Sequence, residues 1–168
     1  FGQMMDAARN VRGSRLPVGR ELGVEEIAAM YAACRKDGDV CGARDAAAIA
    51  LMFGAALRRF EAVSVQLANY DSMKGALQVI GKRNKERLIP LSTGAQAAIA
   101  YWISFRGSKS GPILCPIRGG KVHIDQMSPD AMYKVCVRRA KQAGLASFSP
   151  HDLRRTTATT IIDRTGDI

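Results

Sequence analysis

A chain of 168 residues, 47% of them apolar, is long enough for one domain with a real core and at most an added arm. Its 25 lysines and arginines against 15 carboxylates leave a formal charge of +10 and a pI near 9.9, an excess that repels itself unless a polyanion neutralises it. With no membrane-type apolar run and no signal peptide, the expected polyanion is nucleic acid and the expected location the cytoplasm, at the nucleoid; 6% aromatic content is too little to stack single-stranded bases in series, which favours double-stranded DNA held by its phosphates.

In chain order, residues 1–20 carry Arg9, Arg12, Arg15 and Arg20 among Gly13, Pro17 and Gly19, the composition of a basic interdomain linker. The domain proper is expected over 21–168. Glu25 and Glu26 suit a first helical turn, and Val24, Ile27, Ala28, Tyr31 and Cys34 form an i, i+3, i+4, i+7 stripe. Arg44 and Asp45 lead into Ala46–Leu57, apolar apart from Gly54, which predicts a helix buried on all sides. Arg58, Arg59 and Glu61 follow at once, fixed to the end of the most buried element.

Alternation of Leu77, Val79 and Gly81 with Gln78 and Ile80, answered by Leu88 to Leu91 across Lys82-Arg83-Asn84-Lys85, predicts a β-hairpin with a basic turn. A short strand near Gln66 to Tyr70 would complete a three-stranded antiparallel sheet. Ser92 caps a helix with Ala95, Ala98, Ile99, Trp102 and Phe105 inward. Residues 107–125 read as loop. Ser128-Pro129 opens a helix with Met132, Val135, Cys136 and Ala143 inside and Arg138 and Arg139 outside. The fold class is α+β, mainly helical. Cys34, Cys41, Cys115 and Cys136 form no Cys-x-x-Cys pair, and no ligand spacing favours zinc at Cys115, His123 and Asp125.

The last segment is the most informative. Ser149 is a good N-cap, Pro150 suits the first helical position, and His151, Arg154 and Arg155 then reach one helix face. An imidazole beside two guanidiniums is unfavourable until a phosphate accepts their hydrogen bonds; the alternative is a solvated basic helix end. Arg58, Lys82 and His151 with Arg154 make three separated basic elements. Attack on a phosphodiester builds charge on nonbridging oxygens that guanidiniums stabilise, and the departing 5′ oxygen takes a proton that a lysine can deliver.

These residues resemble a known family. His151-Asp152-Leu153-Arg154-Arg155-Thr156 looks like the second box (His-x-x-Arg) of the tyrosine recombinases, the phage integrase and Xer-type strand-exchange enzymes. Leu57-Arg58-Arg59-Phe60-Glu61 resembles the first box, and the stretch from Ile80 to Leu91 is similar to the hairpin bearing the catalytic lysine. Arg58 and Lys82 stand 24 positions apart, as in the family. The resemblance implies that Arg58 and Arg154 grip the scissile phosphate, that Lys82 protonates the leaving oxygen, and that His151 assists proton transfer. It implies too that Glu61 helps hold the site. Arg59, Arg83, Lys85, Arg155, Arg12 and Arg15 are the expected DNA-backbone contacts.

Ala56 stands where the family usually has glycine, and Phe60 where serine is common. The family would continue past Ile168 to a nucleophilic tyrosine, so the chain is expected to be a C-terminally truncated catalytic domain, inactive and monomeric by itself. Tyr31, Tyr70, Tyr101 and Tyr133 lack the matching context, Tyr31 and Tyr101 falling on helical faces expected to pack. Full length, the resemblance implies a tetramer on two DNA sites, cutting through a 3′-phosphotyrosine with no cofactor. A DNA-binding module without catalysis and a type IB topoisomerase-like enzyme are the alternatives.

Overall fold

The computed structural model describes residues 22–80 and 86–145. The predicted linker 1–20, the predicted basic turn Lys82 to Lys85 and the predicted helix opening at Ser149 lie outside the described residues.

Helix α1 (Val24–Asp37) starts where Glu26 accepts the Gly23 backbone N–H at 2.9 Å, and ends on Gly38 in the left-handed region at φ 62°. Its buried face is Ile27, Met30 and Cys34. Val24 is 79% exposed and Ala28 is exposed as well, so the predicted stripe is rotated by less than a turn toward Met30.

Helix α2 (Val40–Ile49) begins six residues before the predicted boundary, capped by Asp39, whose carboxylate accepts the Gly42 N–H at 2.8 Å. Arg44 and Asp45 therefore sit inside the buried helix and do not lead into it. The helix passes into one π-helical turn, Ala50–Gly54, and Ala46 to Met52 are buried without a break. Small residues let this central rod lie close to its neighbours. A β-carbon on Gly42 would come within 2.3 Å of the Cys34 carbonyl oxygen on α1, and one on Gly54 within 2.8 Å of Ala95.

The short helix α3 (Arg59–Ser64) follows, then a 3-10 turn at Leu67–Asn69, where the Asn69 side chain accepts the Gln66 N–H and holds the chain out of strand geometry. Strand β1 is accordingly only Tyr70–Asp71. It pairs antiparallel with β2 (Ala76–Ile80), which pairs with β3 (Glu86–Pro90) from Ala76↔Pro90 to Ile80↔Glu86. The expected three-stranded sheet is present with a shorter, later first strand.

Helix α4 (Thr93–Arg106) is capped by the Ser92 hydroxyl, which accepts the Ala95 N–H. Ala95, Ile99 and Trp102 are buried, and the indole N–H donates to the Ile113 carbonyl at 2.7 Å. Phe105, expected inside, is 42% exposed and meets the exposed Tyr101 edge-on. Arg106 takes the buried position instead, its Nε donating to the Pro112 carbonyl and its Nη1 to those of Gly107 and Lys109. Residues 107–125 are not loop throughout: β4 (Ile117–Arg118) and β5 (Lys121–Val122) join through Gly119 and Gly120, both at positive φ as a tight two-residue hairpin demands.

Helix α5 (Pro129–Gln142) begins at Ser128, whose hydroxyl accepts the Ala131 N–H, and buries Met132, Val135, Cys136 and Ala140. The expectation that Arg139 faces outward is wrong. It is fully buried, donating Nε to Asp45 and Nη1 to Asp37, because α5 packs across the Asp45 position of α2 and needs a countercharge there. Arg138, half-exposed, also reaches Asp45. No helix among the described residues is long and apolar enough to cross a membrane.

Candidate active site

The central rod ends at Gly54, and the chain must turn sharply out of the core. Ala56 makes the turn at φ 51°, a left-handed conformation that costs an alanine and suits a glycine. Leu57 is then driven back into the core, fully buried, its N–H donating to the Leu51 carbonyl at 3.3 Å. With Leu57 anchored inward, the next residue is thrown outward. That residue is Arg58, whose side chain is 49% exposed.

Arg58 precedes α3 in an extended conformation, and Glu61 holds it twice. The carboxylate accepts the Arg58 backbone N–H at 2.8 Å through Oε2 and Nη1 at 3.2 Å through Oε1. Among the described residues Arg58 Nε and Nη2 meet no protein acceptor, so they remain able to bond an oxyanion. Glu61, only 20% exposed at its side chain, is thus bonded to both the backbone and the guanidinium of Arg58.

A residue that the sequence reading did not single out completes this cluster. Arg87 Nη2 on β3 lies 3.8 Å from Glu61 Oε2. Arg87 pairs with Val79, which faces the core, so its guanidinium projects on the inward side of the sheet toward α3. The signal was available: with Val79, Leu77 and Ala76 buried on β2, the residue opposite Val79 falls in an inward register and should be apolar, yet it is an arginine.

Arg59 is less free than Arg58. Its guanidinium lies over the ring of Tyr133 on α5, 5.5 Å from the centroid, and so braces α3 against α5. Phe60, beside it, is 69% exposed. Lys82, Arg83 and Lys85 lie outside the described residues, between the flanking pair Ile80↔Glu86. His151, Arg154 and Arg155, and Arg12 and Arg15, lie outside them too. Of the predicted site, the described structure therefore brings together Arg58 and Glu61, with Arg59 one residue on.

The four tyrosines are all described. Tyr31 and Tyr70 are half-buried, and burial pushes both phenols above their ordinary range. Tyr101, expected on a packed face, is 51% exposed, and Tyr133 carries Arg59 on its ring. A cavity of about 760 Å³ opens between α1, α2 and α4 beside Ala43, Phe53, Ala95 and Tyr101, and no predicted site residue lines it. No group of histidine, cysteine and carboxylate ligands that could hold a metal occurs among the described residues.

Comparison with known proteins bears on these observations. The tyrosine recombinase XerC of Vibrio campbellii is 29% identical over 170 residues, covering 99% of this chain and 54% of that protein. The crystal structure of XerA recombinase superposes with a TM-score of 0.73 at 19% identity, covering 92% of this chain and 52% of that one. A lambda integrase dimer (residues 75–356) bound to a COC′ core site superposes with a TM-score of 0.64 at 18% identity, over 87% of this chain and 53% of that one. These likenesses fix the fold, and the chain spans about half the length of the relatives it matches. The model of the phage integrase family matches residues 20–168, nearly the whole sequence, and the chain belongs to that family.

Proposed function

We propose that this chain is the catalytic domain of a site-specific tyrosine recombinase acting on double-stranded DNA, with residues 1–20 as the linker from a preceding domain and 21–168 as the domain proper. The observation that carries the reading is Arg58, fixed by Glu61 at the outward turn after a fully buried helix, with two donor nitrogens that meet no acceptor among the described residues. Family membership over residues 20–168 supports it, as does the DNA-bound lambda integrase of the same fold.

The chemistry assigned to the residues balances without a cofactor. A tyrosine hydroxyl, from none of the four tyrosines in this chain, attacks the scissile phosphorus, and the bond to the 5′ oxygen breaks. Arg58 and Arg154 stabilise the charge that builds on the nonbridging oxygens. Lys82 gives its proton to the departing 5′ oxygen, and His151 assists in moving the tyrosine proton. The 3′-phosphotyrosyl link keeps the phosphodiester energy, so religation to a partner strand follows. Arg83, Lys85, Arg155, Arg12 and Arg15 hold the duplex backbone, the whole protein works as a tetramer on two sites, and the reaction takes place at the nucleoid. The +10 charge makes duplex binding steeply salt-dependent.

The test is covalent capture. The complete gene product is incubated with a random duplex library, and adducts that survive detergent are sequenced and mapped. A 3′-phosphotyrosyl adduct on a recurring sequence is expected, and Arg154→Ala abolishes it while most duplex binding remains. Binding without any adduct would make the protein a non-catalytic DNA-binding module; supercoil relaxation by a monomer without site preference would make it topoisomerase-like.

A further inference from the structure

We propose that Arg87 is a positioning residue for the strand-cleavage step, acting by keeping Glu61 from neutralising Arg58; the inference rests on the recombinase reading of the site. A carboxylate facing a single guanidinium tends to pair with it through both oxygens. Glu61 does not. Its Oε2 takes the Arg58 backbone N–H at 2.8 Å and stands 3.8 Å from Arg87 Nη2, which leaves Oε1 alone for Arg58 Nη1 at 3.2 Å. Two guanidiniums thus share one carboxylate, and the cluster keeps a net positive charge toward solvent. The side chains of Arg58 and Arg87 are 49% and 46% exposed, so their attraction to Glu61 adds little to folding stability. What the arrangement fixes is direction. Arg87 is anchored by the β2–β3 ladder opposite Val79, so the point from which it draws on Glu61 is set by the sheet.

Without Arg87, only the Arg58 backbone N–H restrains Oε2, and the attraction that draws this oxygen away from the Arg58 guanidinium is lost. The Arg58 guanidinium is then tied down in a neutral pair and withdrawn from the nonbridging oxygens it serves. Arg87 touches no reacting atom in this account; it works through Glu61.

The experiment uses the complete protein and a duplex bearing its selected site, prepared once with an ordinary scissile phosphate and once with a methylphosphonate, in which a methyl group replaces one nonbridging oxygen and removes the negative charge. Arg87→Gln is expected to lower the rate constant of covalent attachment about tenfold to a hundredfold, the size of effect a small misplacement produces, while the duplex concentration for half-maximal rate changes by less than about twofold, since one exposed pair carries little binding. Because the methylphosphonate needs no guanidinium to absorb its charge, the deficits of Arg87→Gln and of Arg58→Ala both disappear on it. In the Arg58→Ala background Arg87→Gln costs nothing further, and Arg87→Lys keeps most of the rate. A deficit that appears in half-saturation, persists on the methylphosphonate, adds to that of Arg58→Ala, or tracks a lowered melting temperature overturns the role of Arg87. If Arg58→Ala attaches normally to the ordinary phosphate, the recombinase reading of the site falls, whatever Arg87→Gln does.

Discussion

Arginine and carboxylate meet in two places in this molecule, with opposite physical outcomes. Between α2 and α5, Asp45 is completely buried and takes Arg44 Nε and Nη2 on Oδ1 at 2.9 and 2.7 Å, with Arg138 and Arg139 on Oδ2. Arg139 spends Nη1 on Asp37, Gln142 and the Ala33 carbonyl, while its Nη2 approaches Asp45 at 2.7 Å without the alignment of a hydrogen bond. At the surface, Glu61 receives one bond from the Arg58 guanidinium and a longer approach from Arg87. The buried cluster centres on Asp45 and Arg139, both closed off from solvent; the exposed one leaves Arg58 Nε and Nη2 open to solvent without a protein acceptor among the described residues. A count of arginines cannot separate the two, whereas burial can.

Breaking each cluster should move a different observable. Asp45→Ala strands three guanidiniums, one of them fully buried, without their countercharge, and a loss of about 3–5 kcal/mol in urea unfolding is expected. Arg58→Ala should leave unfolding within about 0.5 kcal/mol of the parent and instead cut covalent attachment by about a hundredfold to a thousandfold, as loss of one charge-stabilising donor does. If Arg58→Ala destabilised as Asp45→Ala does, the exposed cluster would be structural, and the contrast between the two would vanish.

The same contrast explains what could be read from the sequence. Periodicity located α1, α4 and α5, and the buried centre from Ala46 onward, because apolar spacing reports the core face directly. The hairpin was legible from Leu77 and Val79 alternating with Gln78 and Ile80, which the structure repeats as buried and exposed. Arg139 was misread because a charged residue on a polar-looking helix is assigned to solvent; its partners Asp37 and Asp45 are about a hundred positions away, and only the packing of α5 on α2 brings them together. Phe105, expected inside, yields the buried position to Arg106 for a similar reason: the carbonyls that accept from Arg106 belong to a loop whose path the sequence does not reveal. In the site, Arg58 and Glu61 were legible as a local i, i+3 pair, whereas Arg87 needed the strand register.

Burial can also be examined by pH. Cys34 and Cys136 are both buried, and desolvation pushes both thiols from 9.0 up to about 12, while Asp45 adds to the rise at each. The folded state therefore favours the neutral thiol. The stability this contributes is fully present below the unfolded value near 9 and is lost as the pH climbs from there toward 12. Denaturant titrations at pH 8, 9.5 and 10.5 should show that decline, and Cys34→Ala with Cys136→Ala should flatten it. An equally steep decline in the double variant would assign the alkaline sensitivity to other groups, such as Tyr31, whose phenol is also raised by burial.

The smallest expected effect falls at the turn that presents Arg58. Ala56 holds φ 51° with a side chain that disfavours it, so Ala56→Gly relieves about 1–2 kcal/mol of local strain. Against this, a glycine gives the unfolded chain more freedom, costing about 0.4–1 kcal/mol. The net gain is about 0.5 kcal/mol, a rise of about 1–2 °C in melting temperature for a domain of this size. Because Leu57 is pinned in the core and Glu61 grips Arg58 from the other side, the direction of Arg58 does not depend on the Ala56 methyl group. Covalent attachment by the Ala56→Gly protein should accordingly match the parent. A fall in rate together with a rise in stability would mean instead that strain at Ala56 holds Arg58 in its outward pose, and would move the orienting role from Glu61 to the turn.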